Sequence, residues 1–202
     1  MSAENKKSLF TIGHSNHPLD VFLGLLRSNG IEVLVDVRSS PFSGYTPHFS
    51  REEFNPALKS AGVEYLYLGR ELGGRPTDER YYDEEGHVLY SRLAKSADFQ
   101  KAIERLKGGV SKYRVAVLCG EEDPVECHRR LLVGRVMSEV GVDVRHIRGD
   151  GRVQTEDELK KLDEERNGSA GQEALFPEPE EKTWRSIRSV LQKKRPAISS
   201  ES

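Results

Sequence analysis

The sequence predicts an α/β domain with a mostly parallel sheet of about five strands and helices on both faces. Three observations carry that expectation. Short, β-branched apolar runs ("SLFTIG", "IEVLVDV", "VEYLYL", "YRVAVLC" and "VDVRHI") recur along the chain. Segments whose apolar residues fall at helical spacing alternate with them. Polar side chains capable of chemistry gather directly after the strands.

"SLFTIG" is the first strand. After the break "HSNHP", Pro18 opens a helix over Leu19 to Ser28, with Val21, Phe22, Leu25 and Leu26 at helical spacing. "IEVLVDV" (Ile31 to Val37) reads as a strand buried on both faces, ending in Asp36, Arg38 and a Ser-Ser-Pro loop. Ser50-Arg51-Glu52-Glu53 has capping-box spacing and predicts a helix that ends near Gly62. "VEYLYL" follows as a third strand. Gly69 to Gly86 carries turn formers and charge without clean periodicity, which predicts a long loop of the kind that often serves function.

Asp98 to Lys107 is predicted helical, with Phe99, Ala102, Ile103 and Leu106 on one face. "YRVAVLC" is a fourth strand, His128 to Val140 a helix, "VDVRHI" a fifth strand, and Thr155 to Arg166 a charged helix. Strand and helix alternating in this way predict a Rossmann-like single domain over residues 9–166. Residues 167–202 are polar, with Gly, Ser and Pro scattered through them, and read as a flexible, disordered C-terminal tail.

The chain is 36% apolar and 32% charged, with a formal net charge of -2. That balance gives no global attraction to nucleic acid, so DNA or nucleotide binding would rest on a local basic patch. No apolar run approaches the roughly 20 residues that span a bilayer, and "MSAENKKSLF" lacks the apolar core of a secretory signal. The expectation is a cytoplasmic protein with no membrane partner. Neither a P-loop nor a G-x-G-x-x-G fingerprint is present, which disfavours ATPase and dinucleotide readings, and no cofactor is expected.

Ligands of open α/β sheets bind outside the carboxyl ends of the strands. His14 and Ser15 follow the first strand, Asp36 and Arg38 end the second, Gly69 to Arg75 follow the third, and Cys119 to Arg129 follow the fourth. Four segments thus bring polar groups to one edge. His128 and Arg129 fall in a first helical turn, where free backbone N–H groups favour an anion such as phosphate. Arg129 has the fork to grip it, and His128 can carry a proton near neutral pH. The alternative is a structural role, with Arg129 paired to Glu121 or Glu122.

Asp36 and Arg38 share a face by the period of two. The Asp36 carboxylate is a candidate base or stabiliser of an oxocarbenium-like state, and a structural Asp36–Arg38 pair is the alternative. Glu121 is a further carboxylate candidate. The aromatic loop "PFSGYTPHFS" carries Phe42, Tyr45, His48 and Phe49 and offers aromatic faces for stacking on a base, Tyr45 among them, or for packing on the core, to which Phe49 is assigned. Gly73 and Gly74 hint at a loop close to a ligand.

The catalytic candidates are therefore Asp36, Glu121, His14 and His128. The substrate- or phosphate-binding candidates are Ser15, Arg38, Tyr45, Cys127 and Arg129. Cys119, Cys127, His128 and His14 offer metal donors, but C-x7-C-H lacks the paired clips of common zinc sites, so no metal is assigned. A Cys127 thiolate beside a helix start is a further possibility.

"TIGHSNHPLDVF", "DVRSSPFSGYTPHFSREEF", "YLYLGRELGGRP" and "LCGEEDPVECHRRLL", in that order, resemble the family called domain of unknown function 488 over roughly residues 9–148. The resemblance implies an α/β domain and a shared set comprising His14, Asp36, Arg38, Cys119, Glu121, Cys127, His128 and Arg129. It names no reaction. "GYTPHF" departs from relatives, which commonly carry a more basic stretch there. In the tail, Gln172, Leu175 and Phe176 resemble the Q-x-x-L-F peptide by which bacterial DNA repair and replication proteins dock on the sliding clamp.

Together these readings predict an enzyme acting on a nucleotide or nucleic-acid base, most concretely a hydrolase of N-glycosidic bonds in DNA maintenance. The alternatives are a non-catalytic nucleotide- or DNA-binding module associated with the clamp, and a metal or thiol redox protein.

Overall fold

The computed structural model describes residues 7–167 and 183–190. Six strands form one sheet in the order β3-β2-β4-β1-β5-β6. They are β1 (Ser8–Gly13), β2 (Val33–Asp36), β3 (Glu64–Tyr67), β4 (Val115–Cys119), β5 (Asp143–Ile147) and β6 (Val153–Thr155). The first five run parallel, as expected, while β6 turns back antiparallel on β5.

Alternation along the strands divides the core. Phe10, Ile12, Leu34, Ala116 and Leu118 face one side, where α1 (Leu19–Ser28) brings Phe22 and Leu26, and α2 (Arg51–Ser60) brings Phe54 and Leu58. Leu9, Val35, Val115, Val117 and Val144 face the other. The predicted Gly69–Gly86 loop opens with a single helical turn, α3 (Gly69–Leu72), and is followed by a second short turn, α4 (Tyr90–Leu93). The second face is covered by α5 (Ala97–Val110) through Phe99, Ile103 and Leu106, and by a helix that begins as π-helical Arg129–Gly134 and ends as α6 (Arg135–Glu139).

Two expectations of detail change. Helix α2 starts at the predicted place, but the Ser50 hydroxyl makes no cap bond; it accepts from the Ser43 amide at 3.2 Å and so braces the preceding loop. The charged helix α7 (Glu156–Asn167) is tied down by ion pairs: Arg130 reaches Glu156 at 2.9 Å and Asp163 at 2.8 Å, and buried His146 bridges Thr11 and Glu156.

Residues 183–190 depart from the tail expectation. Trp184 is buried, and its Nε1 donates to the Leu131 carbonyl at 2.7 Å. Backbone bonds from Ser186 to Val88 and from Val190 to Gly86 hold the rest of the segment against the domain. One large aromatic supplies the apolar burial that the polar average of the tail conceals. Gln172, Leu175 and Phe176 lie outside the described residues.

Candidate functional site

The order of the strands locates the site. The connection leaving β1 runs through α1 to β2 on one face, while that leaving β4 runs through α6 to β5 on the other. The chain therefore diverges at the carboxyl ends of neighbouring β1 and β4, the place where α/β sheets open a crevice. Backbone bonds from His14 to Cys119 (3.0 Å) and from Ser15 to Gly120 (2.9 Å) join the two loops at its base. Gly13 is required there, since a Cβ would lie 1.7 Å from the Glu121 carbonyl oxygen.

A cavity of about 710 Å³ opens at this point, with His14, Arg38, Cys119, Glu121 and His128 at its base. Arg75, Phe42, Tyr90 and the 186–190 segment, including Arg188, complete its walls. The sequence reading placed four of its candidates here: His14, Arg38, Glu121 and His128.

His14 stacks on Phe49, with ring centroids 4.5 Å apart. Its Nδ1 lies 2.8 Å from the Ser15 carbonyl and its Nε2 3.2 Å from Arg38 Nη1. Nδ1 therefore donates and Nε2 accepts. Burial, followed by the charge of Arg38, lowers its pKa to about 4, so His14 is neutral near pH 7. It serves there as a hydrogen-bond acceptor from Arg38.

Glu121 faces solvent in the cavity and takes both cysteine sulfurs on one oxygen: Cys119 Sγ at 2.8 Å and Cys127 Sγ at 3.1 Å from Oε2. Burial opposes its ionisation, but the Cys119 hydrogen bond and then its other partners prevail and hold its pKa at about 2. His128 Nε2 lies 3.0 Å from the Val37 carbonyl and Nδ1 3.5 Å from Cys119 Sγ. Burial lowers the His128 pKa, yet Cys127 and Glu121 raise it more. Cys127 is favoured as the thiolate, its burial outweighed by bonds from Cys119 and His128 and by the Arg129 charge, whereas the same bond to Cys127, with burial, keeps the proton on Cys119.

Other candidates are placed away from the cavity lining. Asp36 is fully buried and saturated: Arg38 grips both its oxygens, with Nη2 at 2.6 Å, and the Tyr65 hydroxyl donates to it at 2.7 Å. The structural-pair alternative describes it, and no lone pair is left for a base. Arg129 is also fully buried; its guanidinium bonds the carbonyls of Glu121 and Glu122 and the Thr11 hydroxyl, so it shapes the loop after β4 and grips no phosphate. Tyr45 is fully exposed on the surface. Ser15 adopts a left-handed backbone (φ 45°) and contributes its amide to the turn. Gly74, by contrast, does line the cavity beside Arg75, and it also leaves room for His128, whose Cγ an added Cβ would meet at 2.7 Å.

Arg75, Tyr90 and Arg188 were not singled out from the sequence, whereas Phe42 belongs to the aromatic loop read there as able to stack on a base. The only available signals were the basic run "WRSIRSVLQKKR" and the arginine of "GGRP". Among the described residues no helix is long and apolar enough to cross a membrane.

A family model described as "Domain of unknown function DUF488" matches residues 18–136. The match includes Arg38 and the Cys119–Arg129 stretch and leaves His14 and the 183–190 segment outside it. No curated protein and no solved structure matches the chain.

Proposed function

The chain belongs to the family described as Domain of unknown function DUF488, a description that names no reaction, and from that premise we propose that it is a hydrolase of a nucleotide or nucleic-acid base, most concretely one that cleaves N-glycosidic bonds in DNA maintenance. One observation carries this reading. An ionised carboxylate, Glu121, and three arginines, Arg38, Arg75 and Arg188, line a single cavity of about 710 Å³ at the switch point of the sheet. That volume lies within the roughly 300–1,000 Å³ of small-molecule sites.

The roles follow from chemistry and position. Arg75 has no ion-pair partner among the described residues, and Arg188 shares its guanidinium with Glu126, so both are disposed toward a phosphate. Exposed Phe42 offers an aromatic face to a base. Glu121 stabilises positive charge as the sugar C–N bond breaks, and a water adds to the anomeric carbon while the base leaves with a proton. The leaving base takes its proton from water, and neutral His14 holds Arg38 Nη1 in place at the base of the cavity. The partners in this reading are a nucleotide or DNA, with clamp docking through Gln172, Leu175 and Phe176.

The test is incubation of native, E121Q and R75A proteins with damaged or modified DNA duplexes and free nucleotides, with products read by mass spectrometry. A released base that disappears with E121Q, and whose formation needs more substrate with R75A, supports the proposal. Salt-sensitive binding without product on any substrate would replace it with a non-catalytic binding module.

A further inference from the structure

We propose that Cys119, Glu121, Cys127 and His128 form a four-ligand zinc site at the floor of the cavity. Their donor atoms all lie within 4.8 Å of one another. With bonds of about 2.3 Å to sulfur and about 2.0–2.2 Å to nitrogen and oxygen, the donors of a tetrahedral zinc site sit about 3.3–3.8 Å apart. Cys119 Sγ and His128 Nδ1, 3.5 Å apart, already meet that spacing. The two sulfur–Glu121 separations, 2.8 and 3.1 Å, need to open by about half an ångström.

The surroundings are those of a metal ligand set. His128 gives its Nε2 proton to the Val37 carbonyl, which leaves the Nδ1 lone pair toward the sulfurs. Gly74 leaves the space that the imidazole occupies, since a Cβ there would lie 2.7 Å from its Cγ. Two thiolates and a carboxylate bring three negative charges to an ion carrying two. The fully buried Arg129 guanidinium, bonded to the Glu121 and Glu122 carbonyls, offsets the excess. Two sulfurs, one nitrogen and one oxygen in a tetrahedral arrangement select zinc over the hard cations.

A second donor group, Asp83, Glu85 and His87, carries no such case. Arg185 inserts its guanidinium between these side chains, and Glu85 is two-thirds exposed. The first site differs from common zinc sites in sequence because its clip closes in space: the loop Gly120–Glu126 folds back so that Cys127 returns to the end of β4. A filled four-ligand sphere would brace this loop at the cavity floor. Both sulfurs meet Glu121 at Oε2, so zinc there leaves Oε1 for the electrostatic role proposed above, and the test of zinc binding uses no substrate.

The experiment is titration of reduced, metal-stripped full-length protein with Co²⁺, followed by displacement with Zn²⁺. One equivalent should bind, with tetrahedral d–d absorption and a thiolate-to-cobalt charge-transfer band, and one equivalent of zinc should erase both. C127S and H128N should each weaken zinc binding at least about 100-fold, beyond the loss typical of an outer-shell partner, while H87A changes nothing. Should the cysteine variant misfold, protection of both native thiols from alkylation by one equivalent of zinc decides the matter. A folded, reduced native chain that binds neither metal, or a cobalt spectrum without the charge-transfer band or abolished by H87A, would overturn the proposal.

Discussion

Replacing Trp184 by alanine should release residues 183–190 from the domain and open the cavity wall. The indole is 7% exposed, packs in the core cluster of α5 and α6, lies 4.0 Å beneath the Arg135 guanidinium, and donates to Leu131. Truncation of such a tryptophan costs about 3–5 kcal/mol, combining lost burial, a cation–π contact and a hydrogen bond. The remaining ties are a few hydrogen bonds, each worth about 1 kcal/mol net, and surface ion pairs such as Arg188–Glu126 worth less. They should not hold the segment alone. Hydrogen exchange reads this directly, because the Ser186 and Val190 amides are bonded to the Val88 and Gly86 carbonyls. Their exchange should accelerate about a hundredfold or more in W184A, since about 3 kcal/mol is over two decades in the opening equilibrium. Protection at these amides that survives W184A, or that is absent from the native chain, would refute the reasoning.

Three other outcomes are expected. D36N should lower the melting transition by about 3–5 kcal/mol of stability, the cost of breaking a buried pair, and rescue by D36E should be partial at best; calorimetry checks it. The depressed pKa of His14 makes the native state favour the neutral ring, so its contribution to stability is fully present above about pH 6.5 and is lost as pH falls toward about 4. Stability curves of native and H14N proteins should therefore converge over that window as pH falls. G74A should displace His128, because the added Cβ lies 2.7 Å from its Cγ, and should lower both the melting temperature and the zinc affinity of the full chain; thermal melts and cobalt titration read the two effects.

The parallel strands were legible because their apolar runs are continuous and the helical spacing between them is clean. Strand β6 was not, for "VQT" is three residues inside a charged stretch whose pairing depends on a turn from β5. The convergence of His14, Arg38, Glu121 and His128 followed from topology, since every parallel strand delivers its next residues to one edge. The fates of Asp36 and Arg129 were decided by partners distant in sequence: Tyr65 completes the shell of one, and Thr11 and the returning loop carbonyls that of the other. Spacing could show that Asp36 and Arg38 share a face, but not that they neutralise each other. The same limit set aside Cys119, Cys127 and His128 as a donor set, because their closeness, with Glu121 in place of His14, is a property of the folded loop and not of the C-x7-C-H spacing. Trp184 was hidden by averaging, because a polar segment docks on the strength of one aromatic.

The central claim is that the crevice between β1 and β4 is the functional site, and its most direct test is a crystal structure of the full chain with a nucleoside monophosphate. The account predicts the phosphate on Arg75 and Arg188, the base against Phe42 and the sugar beside Glu121. A nucleotide bound with ordinary affinity elsewhere on the molecule, with this cavity left to solvent, would contradict it.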